Sequence, residues 1–209
     1  MFVRITRTES TPDKLAENIA NYQQRLMPEA RKLAGFAGAI LLADRSTGAG
    51  ASVTFWESEE AMRASEQAAE TLRTQATQAT GARVREVDRF ELVVQEQNAP
   101  PQANTFVRTN DLRGTPDKLG DVIRLAQEAI PVVKQQPGFK ALVVGVNRQS
   151  GRSFVTSVWA SAADRDASET GVREMRRELG QKAGTDEVQV ELFEVVFAEV
   201  SQAVAATNQ

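Results

Sequence analysis

Histidine and cysteine are both absent from the chain. Without thiols there is no disulfide, no thiolate metal site and no cysteine nucleophile. Without imidazole there is no Ser-His-Asp triad, no histidine-ligated zinc or iron and no histidine-bound haem, so neither a metal nor a cofactor is expected. Any catalysis falls to carboxylates, Lys, Arg, Tyr, Ser or Trp, or to a substrate that brings its own reactivity. Long apolar runs are missing too: none reaches the length of a membrane span, and no charged-then-apolar leader opens the chain. Nor is there an excess of positive charge. Lys and Arg total 25 against 28 Asp and Glu, a net charge of −3 without the basic stripe of a nucleic-acid binder. The expectation is a soluble, cytoplasmic protein that engages neither membrane nor nucleic acid. Its 209 residues, 41% hydrophobic and 25% charged, suit one large domain or two of about 100 residues.

What the chain does contain is itself, twice. Phe2-Val3-Arg4 returns as Phe106-Val107-Arg108, and Thr11-Pro12-Asp13-Lys14-Leu15 as Thr115-Pro116-Asp117-Lys118-Leu119. After a one-residue gap the match resumes at Pro28 and Pro131. It then runs unbroken: Gly35-Phe36, Trp56, Ala64-Ser65-Glu66 and Phe90-Glu91 are answered by Gly138-Phe139, Trp159, Ala167-Ser168-Glu169 and Phe193-Glu194. In all, 26 of 84 aligned positions are identical, at a period far too long for a solenoid unit, so the pattern is a duplicated domain. The first copy is assigned to residues 1–96 and the second to 105–200. Residues 97–104, with Pro100 and Pro101, read as the linker, and 201–209 as a C-terminal tail.

Within one copy, residues 2–8 are β-branched and alternate, which predicts a strand. Thr11 is placed to cap a helix with Pro12 at its first position. Leu15, Ile19, Tyr22 and Leu26 share one helical face; Pro28 should bend or split that helix, and Gly35 end it. Residues 39–43 and 51–56 read as short strands around a hairpin loop. Ser58 opens a second helix to about residue 79, and 84–95 form the last strand. The second copy is expected to repeat all of this, with Ser161 as its cap. The order β-α-β-β-α-β is the ferredoxin-like unit, an α+β fold. In the last strand Val84, Phe90, Leu92 and Val94 face one way and Val87 and Val93 the other. Val190, Leu192, Phe193, Val195, Val196 and Phe197 make the second copy's strand apolar on both faces too. Such a sheet is buried on both, so the two sheets should cover each other with helices outside, closing a barrel within one chain. The eight linker residues reach up to about 28 Å, and tethering favours the internal partner over a second chain. Further homo-oligomerisation through helix faces is left open.

The run Trp56-Glu57-Ser58-Glu59-Glu60-Ala61, leaving a strand and opening a helix, resembles the Trp-x-Ser-x-x-Ala signature of antibiotic-biosynthesis-monooxygenase-type domains. Pro28 with Gly35-Phe36 is similar to the same family. The resemblance covers nearly all of Phe2 to Glu199 and implies the dimeric α/β-barrel architecture, here as two fused copies. In that family the tryptophan borders a pocket between sheet and helices. Trp56 and Trp159 are therefore candidates for stacking on a planar ligand, beside the plainer role of closing the end of a sheet. Ser65 and Ser168 stand where many members carry a histidine. A serine there neither ligates haem iron nor shuttles a proton near neutral pH, which speaks against haem degradation. Asn110 resembles the pocket asparagine of the family's first strand. Its counterpart is Thr6, so two pockets would differ in chemistry.

Arg4 and Arg108 place charge inside strands. Each must reach solvent, pair with a carboxylate such as Glu91 or Glu194, or hold an anionic ligand. Tyr22, the sole tyrosine, sits on the helix face expected to turn inward, where its phenol bonds either a ligand or a backbone carbonyl. Together these residues suggest a cofactor-independent monooxygenase or related pocket enzyme for a planar aromatic small molecule. Trp56, Trp159, Arg4 and Arg108 would bind substrate, and Asn110 or Tyr22 would stabilise the developing oxyanion. The alternative is a non-catalytic module of the same architecture, binding a hydrophobic metabolite or serving in a stress response.

Overall fold

The computed structural model describes residues 1–205. In the first copy the elements are β1 (Phe2–Glu9), a 3-10 turn (Pro12–Lys14), α1 (Leu15–Asn21), a π-helical turn (Tyr22–Leu26) and α2 (Met27–Ala30). They continue through β2 (Phe36–Ala43), β3 (Gly50–Trp56), α3 (Glu59–Ala64), α4 (Glu66–Thr80) and β4 (Arg83–Gln97). The second copy runs β5 (Phe106–Arg113), a 3-10 turn (Pro116–Lys118), α5 (Leu119–Lys134), β6 (Phe139–Val146), β7 (Arg152–Trp159), α6 (Ala162–Ala183) and β8 (Asp186–Val200). Of the expected tail, α7 (Gln202–Ala205) is helical, and residues 206–209 lie outside the described residues.

Local chemistry explains most of these boundaries. Ser58 and Ser161 each accept a hydrogen bond from the backbone N–H three residues on, Ala61 and Asp164, and so start their helices. Thr11 stands at the expected cap position, but its hydroxyl makes no cap bond and the turn it opens is 3-10. Gly35 takes a left-handed φ of +72°, which turns the chain from helix into β2.

The two copies depart from each other in their helices. Pro131 sits inside an uninterrupted α5, so the proline by itself does not split this helix. In the first copy the interruption is a wide π turn, located where the sequence alignment needs its one-residue gap. An extra residue inside a helix is absorbed as such a turn. The second helix behaves similarly: it breaks at Ser65 in the first copy and runs unbroken as α6 in the second.

The eight strands hydrogen-bond in the closed order β1-β3-β2-β8-β5-β7-β6-β4, an α+β barrel made by one chain. The last strand of each copy is about twice the length of the others, and this length closes the ring. Residues Met1–Arg89, Pro101–Ala103 and Phe193–Ala205 form one compact unit; Phe90–Pro100 with Asn104–Leu192 forms a second. In the first unit β2 pairs antiparallel with β8 from Gly38↔Val200 to Ala43↔Glu194. In the second, β6 pairs with β4 from Val146↔Glu91 to Ala141↔Gln97. Gly38, at φ +136°, permits the first of these ladders: a Cβ there would stand 2.5 Å from the Glu199 carbonyl oxygen.

Burial follows the same division. Phe90, Leu92, Val94, Phe193 and Val195 are buried, as their two-faced apolar pattern demands. Val84, Val190 and Leu192, read from the sequence as covered, are 39–41% exposed, and Val188 is 53% exposed. The three in β8 precede the ladder to β2, which begins at Glu194, and apolar character alone does not report where a strand's partner starts. No helix among the described residues is long and apolar enough to cross a membrane.

Candidate functional site

Strand β1 carries Arg4 to the break between α3 and α4 at Ser65. Its Nη2 donates to the Met62 carbonyl at 2.5 Å and to Ser65 Oγ at 3.0 Å, and Ser65 Oγ donates to the same carbonyl at 2.7 Å. Glu66 lies 3.1 Å from the guanidinium, which also stands 5.2 Å from the centre of the Trp56 ring. The second copy builds the same clamp. Arg108 donates to Ser168 Oγ at 3.0 Å and to the Arg165 carbonyl at 2.7 Å, with Glu169 at 3.4 Å. Both arginines are almost fully buried. Their carboxylates are therefore Glu66 and Glu169. Glu91 and Glu194, the partners expected from sequence, bond Arg148 and Arg45 at the surface instead. The clue was already present: Ala-Ser-Glu is repeated in both copies at the same helical position.

The tryptophans are held as tightly. Trp56 Nε1 donates to Thr54 Oγ1 at 3.0 Å and Trp159 Nε1 to Ser157 Oγ at 2.9 Å. Each ring meets a phenylalanine edge-on, Phe36 at 5.6 Å and Phe139 at 5.9 Å between centroids. Such pairs add about 0.5–1.5 kcal/mol beyond burial.

Each unit encloses a cavity between its sheet and helices. The first unit's, of about 150 Å³, is walled by Arg4, Thr6, Tyr22, Ser52, Thr54, Trp56 and apolar side chains of α1 and α4. The second unit's, of about 110 Å³, is walled by Arg108, Asn110, Ala126, Val155, Ser157, Trp159 and apolar side chains of α5 and α6. An apolar cavity of roughly 150 Å³ accommodates one benzene-sized ring. The six residues singled out from sequence thus all reach a cavity wall, but in two sets. Tyr22, Trp56 and Arg4 gather in one, and Asn110, Trp159 and Arg108 in the other. Ser52 was not singled out; it hydrogen-bonds the Tyr22 phenol at 2.8 Å. Burial pushes the Tyr22 phenol up to about 12 despite that bond, so it is neutral at physiological pH. Asn110 Nδ2 donates to the Val155 carbonyl at 3.3 Å, while its buried Oδ1 has no partner.

The clamps bear on acid stability. Burial would raise Glu66, but hydrogen bonds from Arg89 and Arg73 and the charge of Arg4 prevail and hold it at about 2. Glu169 is brought to about 2 chiefly by its hydrogen bond from Arg176, against desolvation. A carboxyl lowered in the folded state contributes stability above its unfolded value of about 4.3, and loses it as pH falls towards 2. Partial exposure of both groups limits the contribution to about 1 kcal/mol each. Denaturant melts at pH 7 and pH 3 should show Glu66→Gln and Glu169→Gln weaker than the parent at pH 7, with the difference shrinking at pH 3.

Haem does not suit these residues. Ser65 and Ser168 are both committed to arginines, and the sequence offers no imidazole or thiolate to ligate a haem iron.

Comparison with known proteins agrees with this geometry. Residues 1–77 match the family model described as antibiotic biosynthesis monooxygenase. Two uncharacterised proteins of Mycobacterium tuberculosis strain H37Rv are similar over most of their length. One is 26% identical over 204 residues, 95% of this chain and 84% of the relative; the other is 22% identical over 199 residues, 95% and 88%. Among solved structures, an anthrone oxidase-like protein aligns over 100% of this chain and 97% of its own at 14% identity, TM-score 0.72. The heme-degrading enzyme of Listeria monocytogenes aligns over 93% and 99% at 10% identity, TM-score 0.54. Residues 1–77 are thus similar to the antibiotic biosynthesis monooxygenase family, and the whole chain shares the fold of monooxygenase-like proteins.

Proposed function

We propose that the chain is a cofactor-independent monooxygenase-type pocket enzyme acting on a planar, electron-rich aromatic small molecule. The observation that carries this reading is the buried, partnerless amide oxygen of Asn110, on the wall of an apolar cavity that also holds Trp159. Leaving such an acceptor unsatisfied costs about 1–3 kcal/mol, and a substrate hydroxyl would satisfy it. The fold shared with an anthrone oxidase-like protein supports the same substrate class. In a reaction of that kind a ring-flanked CH₂ becomes C=O. One atom of O₂ enters the product and the other leaves as water with the two hydrogens, and the substrate supplies all four electrons. The protein's part is to enclose a ring, exclude water and hold the reacting oxygen substituent.

A binding module without turnover is the second reading. It is favoured by the engagement of Arg4 Nη2 and of both Arg108 terminal nitrogens with their helices, which commits those groups to holding strand and helix together. Oxygen uptake with a panel of anthrones and hydroxyquinones separates the two. The enzyme reading expects uptake with at least one compound, lowered about 10- to 100-fold in kcat/KM by Asn110→Ala. Binding with no uptake across the panel would assign the module instead.

A further inference from the structure

The two cavities occupy equivalent places in a duplicated fold, yet one side of the wall differs. Ser52 aligns with Val155, and the turn that bears Tyr22 aligns with Leu125 and Ala126. A hydroxyl pair in the first copy thus replaces an apolar contact in the second. Tyr22 opens the π turn, the one residue by which the first helix exceeds its counterpart. Pro28 does not require that turn, because Pro131 is accommodated in an ordinary α-helix. What distinguishes the first copy's helix there is the wider turn and the phenol that starts it, bonded across to β3.

Two hydroxyls carry two protons, and their mutual hydrogen bond uses one. The other proton has no acceptor among the hydrogen bonds of Tyr22 or Ser52. Arg4 Nε, also on this cavity's wall, is a second buried donor without a partner. In the second cavity Asn110, the counterpart of Thr6, presents an orphan acceptor; the first cavity's wall carries one too, Asn18 Oδ1, but only the first adds the hydroxyl pair.

We propose that the two cavities are unlike sites: the first selects an aromatic ring bearing a hydrogen-bond acceptor such as a carbonyl oxygen, met by the Tyr22–Ser52 pair, and the second does not. The proposal rests on the reading of these cavities as ring-binding pockets and adds to it a division of ligand class. Neutral Tyr22, its phenol held up at about 12 by burial, remains a donor across the physiological range. A site built around a hydrogen bond discriminates more strongly against an analogue lacking it than an apolar site does against an added polar atom.

The chain's two tryptophans, one on each cavity wall, allow the sites to be read separately. Full-length protein labelled with 5-fluorotryptophan should give two ¹⁹F resonances, assigned with Trp56→Phe and Trp159→Phe. The probes are acetophenone and α-methylstyrene, which differ by C=O against C=CH₂. At the Trp56 resonance acetophenone is expected to bind at least fivefold more tightly than α-methylstyrene; at the Trp159 resonance it should bind no more tightly. Tyr22→Phe combined with Ser52→Val should abolish the preference at Trp56 and leave Trp159 unchanged. Equal preference at both resonances in the parent protein overturns the division of ligand class while leaving ring binding intact. No shift of either resonance with either probe overturns the ring-pocket reading itself, and this proposal with it.

Discussion

Arg108→Ala is expected to destabilise the chain by about 3 kcal/mol, and Arg4→Ala by a similar amount, lowering the melting temperature by roughly 6–12 °C. Each substitution removes a nearly fully buried guanidinium that ties the first strand of its copy to the helix after the tryptophan. Two acceptors lose a donor at once: a backbone carbonyl and a serine hydroxyl on the same helical turn. The carboxylates are hurt less, because Glu66 retains Arg73 and Arg89, and Glu169 retains Arg173 and Arg176. This places the loss at the lower end of the range for breaking a buried pair. Methionine keeps the apolar stem packed and should recover part of it. A double variant Arg4→Met/Ser65→Ala should cost less than the sum of its single changes, since both remove one bond. Full additivity in denaturant melts would show that the serine and arginine do not act together.

Much of this molecule was legible before its coordinates. The duplication, the ferredoxin-like order, the serine caps at Ser58 and Ser161 and the single-chain barrel all follow from repeated segments, alternation and capping chemistry. Periodicity states which face of a strand is apolar, not which strand covers it. Hence Val190 and Leu192 looked like core, although the ladder to β2 starts only at Glu194. The arginine clamp was hidden for a similar reason. Glu66 and Glu169 look like ordinary helix-surface acids, and only the fold brings Arg4 and Arg108 to them. Each candidate residue does reach a cavity, but sequence could not divide them between two. The one-residue gap between the copies was visible in the alignment; that it would emerge as a π turn bearing Tyr22 required the backbone.

The second large effect concerns the crossing strands. Residues 1–96 on their own keep the first copy's sequence but lose residues 193–200, which pair with β2. They also retain residues 91–96, whose partner β6 is gone. One strand edge and one dangling apolar segment are left open, with Phe90, Leu92 and Val94 deprived of cover. The isolated fragment should therefore lack a stable monomer, dimerising or aggregating instead. Mixing it with the fragment 97–209 should restore a one-to-one complex, because each supplies the strand end that the other lacks. Sedimentation velocity on the 1–96 fragment, alone and mixed, measures this directly. Self-association alone, replaced by a 1:1 heterodimer on mixing, is the result expected of two units completed by each other's last strand; a well-behaved 1–96 monomer melting at the temperature of the full chain would contradict it.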